Sequence, residues 1–116
     1  MNWYKYSQQV YLGYKIVGVE ASTKRAYSIY DKSDVNISIG SIVNYGNSGL
    51  FLGTSKQFCI DYYSCGTADE DGELLLTYRF NDTDLLKGDP NYKNGEVQVR
   101  QATLIDFDNI DKNELC

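Results

Sequence analysis

Apolar residues along the chain fall in short runs that favour strands. Val10-Tyr-Leu-Gly-Tyr-Lys-Ile-Val-Gly-Val19 is β-branched and aromatic, and its glycines mark bulges or close approaches. Ala26-Tyr-Ser-Ile-Tyr30 alternates roughly in period two, and the Asp31-Lys-Ser-Asp34 cluster that follows is a turn. Val35-Asn-Ile-Ser-Ile39 alternates strictly, with Ile42-Val43 extending it after Gly40. Asn44–Gly49 is a loop that opens the strand Leu50-Phe-Leu52. One helix is predicted. Thr54 or Ser55 caps it, Phe58, Cys59, Tyr62 and Tyr63 recur on one side, and Gly66 ends it. The polar stretch Gly66–Gly72 is a loop, and Glu73–Phe80 is a strand with a buried half. Asn81–Leu86 is a turn or short helical turn before Gly88 and Pro90. Glu96–Phe107 is the last strand; Val97 and Val99 face one way, and the alternation shifts toward Leu104 or Ile105. The pattern predicts a β-rich α+β domain over residues 1–107, with about six mostly antiparallel strands and one or two short helices, followed by a polar tail over 108–116.

Length agrees with a single core, because 116 residues is one domain's worth of chain. No apolar run approaches the roughly 20 residues of a membrane-spanning helix. The segment MNWYKYSQQ has no apolar stretch of the secretory kind, which favours a cytoplasmic location. An odd count of cysteines, Cys59, Cys65 and Cys116, points the same way, toward a reducing compartment.

The absence of histidine removes the Ser-His-Asp and Cys-His arrangements, the usual zinc sites and the commonest general base. No metal site is expected. Charge is lopsided. Residues 1–58 carry three acids against six bases, a balance of +3, whereas residues 59–116 carry thirteen against five, a balance of -8. An acidic half repels phosphate, so direct nucleic-acid binding is disfavoured. It attracts basic protein surfaces instead. Eleven tyrosines add rings that pack in sheets and also suit recognition surfaces.

Two stretches carry a resemblance to a known family. Gly49-Leu-Phe-Leu-Gly-Thr-Ser55 leads into a helix with an aromatic end, and Asn94-Gly-Glu-Val-Gln-Val-Arg100 opens a later strand on a glutamate. Over about residues 48–107 this resembles the ADP-ribosyltransferase-like fold. The resemblance implies Glu96 as catalytic glutamate, Ser55 as the residue that positions the ribose or braces Glu96, and a cofactor set of Thr54, Tyr62 and Arg25 or Lys15 around NAD. A glutamate there would stabilise the positive charge that builds on the ribose. Asn94 stands where many members carry a second acid or amide, the family's first motif is missing, and no histidine is present to grip the diphosphate. Trp3-Tyr4-Lys5 and Gly49–Tyr63 are also similar to small uncharacterised domains found in phages and beside pentapeptide repeats.

In size and charge the chain resembles small acidic phage proteins that inhibit host defence. The leading expectation is therefore a non-enzymatic binding protein, phage-encoded and without a cofactor. It would occlude a basic host protein with an acidic, tyrosine-rich surface made of Asp61, Asp69, Glu70, Asp71, Asp82, Asp84 and Tyr92. The alternative is a transferase-like enzyme or a degenerate NAD-binding relative working through Glu96.

Overall fold

The computed structural model describes residues 9–29, 32–63 and 72–110. Among them are eight strands: β1 (Val10–Val19), β2 (Ala26–Ser28), β3 (Ile42–Asn44), β4 (Leu50–Gly53), β5 (Gly72–Asn81), β6 (Leu85–Lys87), β7 (Glu96–Val99) and β8 (Gln101–Asn109). The described residues also form one α-helix, α1 (Lys56–Tyr63), and 3-10 turns at Gly46–Ser48 and Asp82–Asp84. Every strand pairing is antiparallel. No helix among the described residues is long and apolar enough to cross a membrane.

The fold is β-rich, as the pattern predicts, but with eight strands among the described residues rather than about six. Two local changes add a strand each, and a third moves one along the chain. Val35–Ile39 forms no ladder: Asn36 Oδ1 accepts the Ser38 N–H at 2.9 Å, and such local bonds compete with strand pairing. Val35 and Ile37 still pack against the core from this irregular stretch, while Ile42–Asn44 pairs with β8 as a separate strand. Leu85–Lys87 is too short to show periodicity but pairs with β7. The long strand expected over Glu96–Phe107 breaks at Arg100, whose N–H donates to the Asp84 carbonyl at 2.7 Å and whose carbonyl accepts from the Tyr45 N–H. β8 then runs through Asn109, into the stretch expected as a tail.

That break shapes the molecule. In the strand order β3-β8-β5-β1-β4-β7-β6, three strands lie between β8 and β7. A flat sheet would set those two about 19 Å apart. Along the chain only Arg100 separates them, a reach of at most about 7 Å. The sheet therefore curls on itself, although its hydrogen-bonded path stays open between β3 and β6. Its inner face closes on Val17, Leu50, Leu52, Leu76, Tyr78, Val97, Val99 and Leu104, all nearly or fully buried. A second cluster, Ile16, Leu75 and Cys59, lies on the outer face of β1 and β5, where α1 contributes Cys59. Ser55 starts α1, accepting the Phe58 N–H at 3.1 Å through its Oγ.

On β5, Thr77 is buried and its Oγ1 has no hydrogen-bond partner among the described residues. A buried hydroxyl in that state costs about 1–3 kcal/mol, and valine has the same shape without it. Thr77→Val is expected to raise the melting temperature by a few degrees in calorimetry; a lowered value would show that the hydroxyl has a partner in solution.

Candidate functional site

The sheet's topology creates a cleft. β5 occupies one edge of β1 along its whole length. The other edge is shared: β4 meets it at the single pair Tyr14↔Gly53, and β2 meets it at Val17–Val19. Between these two diverging strands opens a cleft of about 480 Å³, lined among others by Lys15, Ser28, Ser33, Tyr45, Phe51 and Glu96. That volume lies in the range of small-molecule sites. Tyr45 and Phe51 are half exposed at 54% and 50%, which leaves their rings available at the surface.

Glu96 opens β7 opposite Gly53. Burial pushes its carboxyl above the usual range, and the Lys15 ammonium pulls it partly back. Although Glu96 stays partly exposed, the shift lets its carboxyl keep a proton to a higher pH than usual. Its contribution to stability is thus complete at low pH and lost as pH climbs past the ordinary carboxylate range.

Thr54 determines where β7 begins. It is buried; its N–H donates to the Gly95 carbonyl at 2.9 Å, and its Oγ1 donates to the same carbonyl at 3.1 Å and accepts the Gly95 N–H at 3.2 Å. Thr54 therefore clasps the residue before Glu96 and does not line the cleft. Ser55, next in sequence, is occupied as the cap of α1. Gly53 has to be glycine here, because a Cβ would sit 2.3 Å from Cys59 Sγ.

The remaining implied cofactor residues lie elsewhere. Arg25 is held in the turn between β1 and β2 by Glu20 at 2.8 Å, by Asp34 and by the Lys32 carbonyl. Tyr62 is 70% exposed on α1 and stacks on Phe58 with ring centroids 5.3 Å apart. Of the five residues Glu96, Ser55, Thr54, Arg25 and Tyr62, the cleft brings in Glu96. Lys15, named in the sequence as the alternative to Arg25, joins it there.

The residues expected at an acidic surface divide as well. Asp61 is exposed and accepts from Gln57 at 2.7 Å; Asp82 and Tyr92 are also exposed. Asp84 is buried at 8% exposure; its Oδ2 accepts the Asn81 N–H at 3.2 Å and its carbonyl takes the Arg100 N–H. It braces the chain where β7 turns into β8 and presents little surface. Asp69, Glu70 and Asp71, together with Trp3-Tyr4-Lys5, Cys65, Gly66 and Cys116, lie outside the described residues.

Ser28, Ser33, Tyr45 and Phe51 had no local signal in the sequence, since they reach the cleft from four separate stretches. Together the groups offer one cation, one carboxylate, three hydroxyls and two rings, a set able to hold a ligand with polar and flat parts. No family model, curated protein or solved structure matches the chain.

Proposed function

We propose that this is a non-catalytic binding protein that occludes a basic partner through an acidic, tyrosine-bearing surface. The observation that carries the reading is the dispersal of the transferase-like set. Thr54 and Ser55 are engaged by backbone groups, Arg25 is held by two carboxylates, and Tyr62 lies on the surface of α1. Asp61, Asp82, Tyr62 and Tyr92 are each exposed, so their carboxylates and rings are available to a partner. Tyrosine suits such contacts because it buries a large rigid ring and keeps a polar tip.

The test replaces Asp61 and Asp82 by asparagine and Tyr62 and Tyr92 by serine, leaving Asp84 in place because it braces the strand break. A protein retained in stoichiometric amount by the parent from cells that encode it, and released by added salt, is expected to be lost by the quadruple variant. Equal retention by both overturns the reading.

A second reading rests on Glu96 and Lys15 sharing one cleft. It is a nucleotide-binding relative of the transferases, with NAD against Glu96. Calorimetric titration with NAD is expected to show no heat of binding. Heat that disappears in Glu96→Gln would establish this second reading in place of the first.

A further inference from the structure

The far edge of β8 offers a more specific surface. β3 covers that edge through Thr103, and Gly40 and Ser41 extend the cover to Leu104. From Ile105 to Asn109 no strand lies on that side among the described residues. The direction of the backbone follows from two bonds. The Ile110 N–H donates to the Glu73 carbonyl of β5, so by the alternation of antiparallel ladders Asp106 and Asp108 also turn their backbone groups toward β5. Phe107 and Asn109 then point theirs outward. In agreement, the Phe107 N–H donates at 2.9 Å to the carboxylate of its own neighbour Asp106.

Side chains sort by face. Phe107 lies opposite Leu76 on the inner-core side and is 38% exposed at the rim. Asp106 and Asp108 lie opposite Thr77 and Leu75 on the outer side, where Asp108 comes 3.8 Å from Lys56. The edge thus combines outward carbonyl groups and the Asn109 amide, the Phe107 ring beside Asn109 on the inner side, and two aspartates on the outer side; an added strand would take the Phe107 N–H from the Asp106 carboxylate.

We propose that this edge captures an extended segment of another protein as an added strand, one whose side chains alternate between apolar and Lys or Arg. Backbone hydrogen bonds would supply the affinity, and the alternation would match Phe107 on one face and the two aspartates on the other. A second copy of this chain fits poorly. Self-pairing about Phe107 places Asp106 directly opposite Asp108 of the copy, and like charges so placed repel. The proposal rests on the reading as a binding protein and names one class of segment it would take.

The test is an NMR titration of the full chain with an acetylated, amidated peptide alternating valine and lysine. Shifts are expected at the Phe107 and Asn109 amides. Asp106→Asn with Asp108→Asn is expected to weaken binding roughly tenfold. Phe107→Pro is expected to abolish it, since proline is tolerated where the missing N–H faces outward from an edge. Asn109→Pro serves the same purpose if the first variant does not fold. The proposal is overturned by silence at residues 105–109, by equal binding of a valine–glutamate or glycine–lysine peptide, or by the same amides shifting with protein concentration alone. Such a failure leaves the partner-retention result untouched, because that experiment reads Asp61, Tyr62, Asp82 and Tyr92.

Discussion

Leu52→Ala is expected to lower the free energy of unfolding by about 2–5 kcal/mol, a large share of the roughly 5–15 kcal/mol that holds a domain together. Leu52 is fully buried on β4 and lies over Gly13, where an added Cβ would come within 2.7 Å of its Cδ1. That close fit means truncation opens a void that the surrounding sheet cannot readily fill. On its β1 side, β4 is also poorly backed by backbone bonds, since it meets β1 at one residue pair whereas β5 meets it at ten. Apolar contact therefore carries the β4–β7–β6 side of the sheet. Urea titration should show the loss in stability, and hydrogen exchange should show amides of β4 and β7 opening before those of β1 and β5. The adjacent Phe51→Ala, at a half-exposed position, should cost far less. A Leu52→Ala protein within about 0.5 kcal/mol of the parent would contradict this account of the core.

Alkali should produce the second large effect. Burial pushes the Cys59 thiol from 9.0 up to about 12, with smaller contributions from the Gly53 backbone, Glu96 and Lys15. Its Sγ donates to the Tyr14 carbonyl at 3.3 Å, so a thiolate would lose its acceptor partner and face that oxygen as an anion. Burial, aided by Tyr45, likewise pushes the Tyr78 phenol from 10.0 up to about 12. Both groups keep their protons longer when folded. Between the two values the folded chain binds more protons than the unfolded one, and stability falls as pH rises. The thiol's contribution is complete below pH 9 and lost by about pH 12; the phenol's is complete below pH 10. These amount to about 4 and 3 kcal/mol at most. Denaturant midpoints measured from pH 7 to 11 should fall steeply above pH 9, and Cys59→Ala should flatten the first part of that fall. A parent protein with constant stability up to pH 11 would show that neither group is buried as described.

The same buried thiol shows how far a residue's neighbours can be read ahead of the fold. Cys59 is legible in the sequence as a small buried group on a helix, but its fit against Gly53 depends on β4 arriving beneath α1. Glu96 is legible as a strand-opening glutamate; that it shares a cleft with Lys15 depends on β2 and β4 diverging along one edge of β1. Asp84 reads as one more surface acid in an acidic turn. Its burial follows from Arg100 leaving both ladders and bonding to it, a contact between stretches with no shared periodicity.

By itself the sequence determined the local matters: the long strands β1 and β5, the start of α1 at Thr54 or Ser55, the turn around Asp82–Asp84 and the apolar alternation of Val97 and Val99. These depend on backbone preference and on side chains a few residues apart, which are written consecutively along the chain. The tertiary structure alone decided which edges pair, how far the sheet curls, why Thr54 clasps Gly95 and where, among the described residues, β8 has no neighbouring strand beyond Leu104. Those outcomes follow from hydrogen bonds and apolar burial between distant segments, whose energies are set only once the chain has brought them together.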